Sequence, residues 1–180
     1  MLLLTIRFPE QWDERKEEFV YRKPISLQLE HSLVSLAKWE SKWHKPFLGT
    51  DSHTYEETLD YIRCMTITQN VDPSVYNYLD APSIETVAKY IDNPMTATWF
   101  SNRKKPVPSS EQVTAEIIYY WMIAFNIPFE CQKWHLNRLL TLIRVCEAKN
   151  SKAEKIPKNE LLKKQNALNQ ARRKKYNTRG

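Results

Sequence analysis

Glycine is nearly missing from this 180-residue chain. At the usual ~7% usage such a chain would hold about 13 glycines, and it has two, Gly49 and Gly180. Every motif built on several glycines is thereby excluded: no Walker A loop, no G-x-G-x-x-G turn, no Gly-flanked nucleophile elbow. Cysteine is sparse and odd in number, with Cys64, Cys131 and Cys146. Three thiols imply no disulfide framework and point to a reducing compartment. Long apolar runs are also missing. MLLLTIRF at the start is too short for a signal-peptide core and has no basic segment before it. No stretch approaches the ~18 apolar residues of a membrane span.

What is present is aromatic and apolar bulk, with charge of one sign concentrated at one end. Hydrophobic residues make up 42% and aromatics 12% of the chain, including six tryptophans. That is enough to bury a core. Residues 151–180 carry ten Lys/Arg and two acids, a formal +8 within a total of +6, which leaves residues 1–150 at −2. The expected organisation is therefore a body over 1–150 and a basic tail over 151–180. Such an arm meets nucleic acid, an acidic protein face or a membrane surface, or simply keeps the chain solvated.

The periodicity predicts a mainly α-helical domain with a small N-terminal β-hairpin or sheet over 1–29 and a basic C-terminal helical tail. Residues 2–8 read as a strand stopped by Pro9. Residues 18–23 (EFVYRK) alternate and complete a hairpin over 2–23 with a loop at 11–14, and 25–29 (ISLQL) can add a third strand. From Glu30 the period lengthens, with Leu29, Leu33, Leu36 and Trp43 on one face of a helix over about 30–43. Thr54 and Glu57 form a capping box opening a helix over 54–68 that buries Tyr55, Leu59, Ile62 and Met65. Two short helices follow, from Pro73 and from after Ser83, the second burying Ile84, Val87, Ala88 and Ile91. Residues 93–109 read as an exposed loop. Ser109 and Gln112 suggest a second capping box for a helix over 110–126, apolar almost all round from Ile117 and hence buried. A helix over 129–149 completes the body. Ile117, Ile118, Trp121, Phe125, Leu136, Leu139, Leu140 and Ile143 are the expected core. Pro157 suits the first turn of a tail helix running to about Lys175.

Chemistry-bearing clusters are weak. His44, Asp51 and His53 share one loop, and Cys131 and His135 stand at i, i+4, a spacing that can serve zinc, but no C-x-x-C accompanies them. A buried thiol and a satisfied histidine account for Cys131 and His135 more simply. Glu56, Glu57 and Asp60 are explained by capping and the helix dipole. No catalytic residue, metal or cofactor is expected. Trp39 and Trp43, at i, i+4 and continued by Phe47, form a candidate partner-binding surface or part of a large aromatic core. Tyr119, Tyr120 and Trp121 are consecutive, so at least one must look outward. In the tail, Leu161 and Leu168 form a narrow apolar stripe and Arg172 and Arg173 a basic cluster, a second candidate for partner binding.

Five segments carry a family resemblance: LQLEHSLVSLAKWESKWHKPFL (27–48), TYEETLDYIRCMTI (54–67), MTATWF (95–100), TAEIIYYWMIAFNIPFECQKWHLNRLLTLIRVC (114–146) and QNALNQARRKKYNTRG (165–180). They resemble small proteins of the tail-morphogenesis region of tailed bacteriophages, of the kind described as tail assembly chaperones. The resemblance implies a helical, non-enzymatic assembly factor in the host cytoplasm. Its partner would be the phage tape measure protein or another phage structural protein, with a homo-oligomer possible. A virion structural or connector protein, or a small nucleic-acid-binding protein using its basic tail, is the alternative.

Overall fold

A computed structural model describes residues 1–15, 17–49, 52–100, 112–150 and 158–176. The chain divides into two compact units, Met1–Cys146 and Glu147–Gly180. The first begins with strands β1 (Leu2–Ile6), β2 (Gln11–Asp13), β3 (Glu18–Val20) and β4 (Ile25–Leu29). Helices α1 (Leu33–Trp43) and α2 (Tyr55–Met65) follow. Then come a 3-10 helix at Pro73–Tyr78, α3 (Ala81–Asp92), α4 (Ala115–Ala124), a second 3-10 helix at Phe129–Lys133, and α5 (Leu136–Asn150). The fold is mainly helical with small N-terminal sheets.

The strands at 2–6, 18–20 and 25–29 lie within the predicted segments, but Gln11–Asp13, read as a loop, is a strand, and the pairing differs. β1 pairs antiparallel with β4, from Leu2 opposite Leu29 to Ile6 opposite Ile25. β2 pairs with β3 in a separate small hairpin inserted between them. Alternation marks a strand without naming its partner, and ISLQL offers the face that 18–20 lacks. Leu4, Ile6, Leu27 and Leu29 are all buried, whereas every residue of β3 is exposed. The far side of β4 is covered by the chain leaving α2. Glu30 N–H donates to the Met65 carbonyl at 2.9 Å and Ile67 N–H to that of Gln28 at 2.8 Å.

Helix α1 starts at Leu33, three residues later than the pattern suggests. Ser32 caps it, and Ser35 reaches back to the Ser32 N–H at 2.8 Å, a capping box in which serine replaces the usual Glu or Gln. The Thr54–Glu57 box on α2 is present as predicted, though α2 ends at Met65. Tyr55 is 58% exposed. As the first residue of the helix its Cα–Cβ bond tilts toward the N-terminus, away from the rest of the buried face. Helix α3 is capped by Asp80 rather than opening after Ser83. Its buried stripe runs through Val87 and Tyr90, with Ala88 exposed.

Helix α4 begins at Ala115 with no side-chain cap of its own. Gln112 thus precedes the helix, and Ser109 lies outside the described residues. The helix is not buried all round: Ala115, Ile118 and Met122 are buried, Ile117 and Trp121 partly, and Tyr120 and Ile123 stand in solvent. The expected single helix over 129–149 is broken at Trp134–His135. There the Leu136 N–H donates to the His31 carbonyl at 2.7 Å, and His135 bridges Ser32, so the main chain leaves the helical ladder. Phe129 falls on the exposed side.

Two clusters make the core. One gathers Leu4, Ile6, Leu27, Leu29, Trp39, Leu59, Tyr61, Ile62, Met65 and the α3 residues. The other holds Leu33, Leu36, Ala115, Ile118, Met122, Cys131, Leu136, Leu139 and Ile143, with Phe125 and Leu140 packed partly buried against it. Helix α1 serves both, with Trp39 on one side and Leu33 and Leu36 on the other. The second unit contains α6 (Lys158–Tyr176). No helix among the described residues is long and apolar enough to cross a membrane.

Candidate interaction surface

The aromatic run read from the sequence as a partner surface is mostly a brace between α1 and α2. Trp39 is fully buried, so it meets no partner, and its indole N–H donates to the Glu57 carbonyl at 3.0 Å. Burying the larger part of an indole ring against neighbours outweighs any use of it at the surface. Trp43 and Phe47 are half-buried. Trp43 donates to Asp60 Oδ2 at 2.9 Å and stacks on Trp39 with ring centroids 6.0 Å apart. Phe47 stacks between Tyr61 at 3.9 Å and His53 at 4.5 Å. Lys45 pairs with the Glu57 carboxylate and lies 5.8 and 5.7 Å over the Trp39 and Trp43 rings. The Lys45 hydrogen bond, then the Thr54 N–H, hold the Glu57 carboxyl below its usual range. Burial alone would raise Asp60, but hydrogen bonds from Lys42 and Trp43 lower it. These charges are committed internally.

A second constellation was not visible in the sequence. His31 Nδ1 and the Tyr61 hydroxyl are 2.6 Å apart, and the His31 and His135 rings meet edge to face at 5.1 Å. His135 Nε2–H donates to the Tyr90 carbonyl at 3.0 Å, while its Nδ1 accepts from the Asn137 N–H at 3.3 Å. The Tyr90 hydroxyl donates to Glu30. Burial, then the neighbouring His135, press the His31 pKa down to about 3. Burial likewise lowers His135 and raises the Tyr61 hydroxyl. His31 and His135 are 2% and 6% exposed, so this group joins β4, α2, α3 and α5 rather than meeting solvent. His31 could be found only by noticing a histidine at the strand-to-helix junction. Cys131 is buried in the core and His135 is satisfied, as their simpler reading had it. Among the described residues no group of three or more His, Cys, Asp or Glu is placed to hold a metal ion.

The unsupported aromatic surface lies elsewhere, on the β2–β3 hairpin. Trp12 and Phe19 are directly opposite, their rings 5.0 Å apart, and each is 53% exposed. Val20 and Tyr21 are exposed beside them. The two rings cover each other edge to face, and neither belongs to a core cluster among the described residues. Residues 10–18 carry five acids and two bases, so the ribbon is aromatic with an acidic margin. At its base a cleft of about 190 Å³ is lined by Phe8, Pro9, Val20, Arg22 and Tyr78. Tyr120, Ile123 and Phe129 are also exposed, and Tyr120 is the one of the three consecutive aromatics that looks outward. On α6, Leu168 is 58% exposed and Arg172 and Arg173 are exposed. The side chain of Leu161 lies outside the described residues. Comparison with protein-family models, curated proteins and solved structures gives no match.

Proposed function

We propose that this chain is a non-enzymatic tail assembly chaperone of a tailed bacteriophage, which binds the tape measure protein in the host cytoplasm during tail morphogenesis. The observation that carries this reading is the β2–β3 ribbon: opposed Trp12 and Phe19, each half in solvent and outside both core clusters. Large exposed aromatics bury ~150–250 Å² each when a partner covers them and are enriched in the cores of protein interfaces. A long client that must stay unaggregated before polymerisation presents repeated apolar helical surface, and an aromatic ribbon with an acidic margin suits apolar segments flanked by Lys or Arg. The resemblance of residues 27–48, 54–67 and 114–146 to tail-morphogenesis proteins supports the same reading.

Co-purification tests it. Tagged protein should retain the tape measure protein of the same phage through washing at ~0.15 M salt, and the double variant Trp12→Ser/Phe19→Ser should lose it. A filter-binding arm addresses the basic tail. Tight retention of DNA at that salt, falling steeply as salt rises, with no retention of the tape measure protein, would replace this reading by a nucleic-acid-binding one that uses Arg172 and Arg173.

A further inference from the structure

The β1–β4 sheet is closed on one side and open on the other. The far side of β4 is bonded by residues 65–68, including Gln28 N–H to Thr68 Oγ1 at 2.8 Å. On the outer side of β1, among the described residues, no main-chain N–H or C=O of Leu2–Ile6 is bonded outside the β4 ladder. Proteins usually blunt such edges with a charge, a proline or a bulge. Here Leu2–Ile6 (LLLTI) has no charged residue and no proline, and it is in unbroken register over five pairs. Leu3 is 63% exposed on the solvent face while Leu4 and Ile6 are buried on the other.

We propose that the free edge of β1 pairs antiparallel with β1 of a second copy, around a two-fold axis through Leu4. A strand added to a sheet edge draws its affinity from main-chain hydrogen bonds, and a two-fold contact requires a self-complementary segment. β1 meets that requirement. With Leu4 opposite Leu4, Leu2 faces Ile6 and Leu3 faces Thr5 of the other copy. Each pair keeps the inside–outside alternation of the sheet, and no like charges are opposed within residues 2–6; the next pair sets Met1, whose amino group is neutralised by Glu30 at 2.8 Å, opposite Arg7. The two sheets become one four-stranded sheet whose buried face continues across the axis. Five residue pairs bury well under the ~1,000 Å² of a stable interface, so the dimer is weak and concentration-dependent. A second copy is the favoured occupant because the edge is uncharged and matches itself, whereas the acidic ribbon suits a charged client. This inference does not rest on the chaperone reading.

Light scattering after size-exclusion chromatography of the full chain tests it, between about 1 and 200 µM. The expected result is a mass rising from one chain toward two. Thr5→Pro removes an N–H at an exposed edge position and should raise the dimer dissociation constant at least about tenfold, with the circular dichroism spectrum unchanged. If that variant unfolds, cross-linking decides. The double variant Leu3→Cys/Thr5→Cys should form an intermolecular disulfide on mild oxidation, and neither single variant should do so to the same extent, because residue 3 faces residue 5 of the other copy. A chain that stays monomeric throughout the range, or a dimer with no preferential cross-linking of the double variant, overturns the proposal. Monomeric protein whose Leu3 is protected only when the tape measure protein is added would also overturn it, and would assign the edge to the client.

Discussion

The Oε2 of Glu40, in the middle of α1, accepts the main-chain N–H of Ala115, the first residue of α4, at 2.7 Å. Its Oε1 accepts the Phe47 N–H at 2.9 Å. Helix α4 has no cap from Thr114, so a buried carboxylate 75 residues away in the chain supplies it. The same group fixes the loop that carries Phe47 into the aromatic brace. The negative charge also stands at the helix N-terminus, where the dipole favours it.

Removing that carboxylate should therefore be costly. Hydrogen bonds to charged groups contribute roughly 1.5–3 kcal/mol each, and the Ala115 N–H left without its acceptor is buried. We expect Glu40→Ala to lose about 3 kcal/mol in a urea titration. Glu40→Gln, which keeps one acceptor, should lose less. A loss below ~0.5 kcal/mol for Glu40→Ala would mean that α4 finds another cap.

Acid should loosen the junction at His31. In the folded protein its pKa is pressed down to about 3 by burial and by His135, against about 6.5 unfolded. The unfolded chain thus binds the extra proton between these values. Stability contributed by the neutral form is complete above pH 6.5 and is lost progressively as pH falls toward 3. His135, also lowered, acts in the same direction. Between pH 6.5 and 4.5, before most carboxylates titrate, the expected loss is roughly 2–3 kcal/mol, at about 1.4 kcal/mol per pH unit. Urea midpoints across that window measure it. A His31→Gln variant should show a flatter dependence, and an equal slope in both proteins would assign the acid effect to other groups.

The tail should be separable. The first unit, Met1–Cys146, holds both core clusters. Deleting residues 151–180 should leave its melting temperature within a few degrees of the full chain. A drop of ten degrees or more, about 2.5–5 kcal/mol for a domain of this size, would make the tail structural.

Much of the local grammar was legible in the sequence. Thr54 and Glu57 announce their capping box because both partners lie three residues apart in the chain. The switch from alternation to helical spacing near Leu29 marks where the sheet ends. What stayed hidden depends on partners distant in sequence. Alternation in EFVYRK and ISLQL is alike, and only the buried face under α3 selects ISLQL for β1. Glu40 reads as an exposed helix acid until Ala115 is placed against it. Trp39 and Trp43 share a helix face, but spacing alone cannot say that α2 covers the first completely and the second by half. The helix through Trp134 is broken by the His31 carbonyl, which no local signal announces. The exposed ribbon is hidden too: 11–14 reads as a loop and 18–23 as the partner of 2–8, because three residues are too few for alternation to show and a strand's pattern does not reveal that its apolar side lacks a core.

We propose that the Trp12–Phe19 ribbon holds a long phage client in solution. The most direct test is co-expression of the tape measure protein of the same phage with the intact chain or with Trp12→Ser/Phe19→Ser, scoring the client in supernatant and pellet. The client should be soluble with the intact chain and pelleted with the variant, whose own melting temperature should stay within a few degrees of the parent. A client equally soluble with the variant, or soluble with neither protein present, would contradict it.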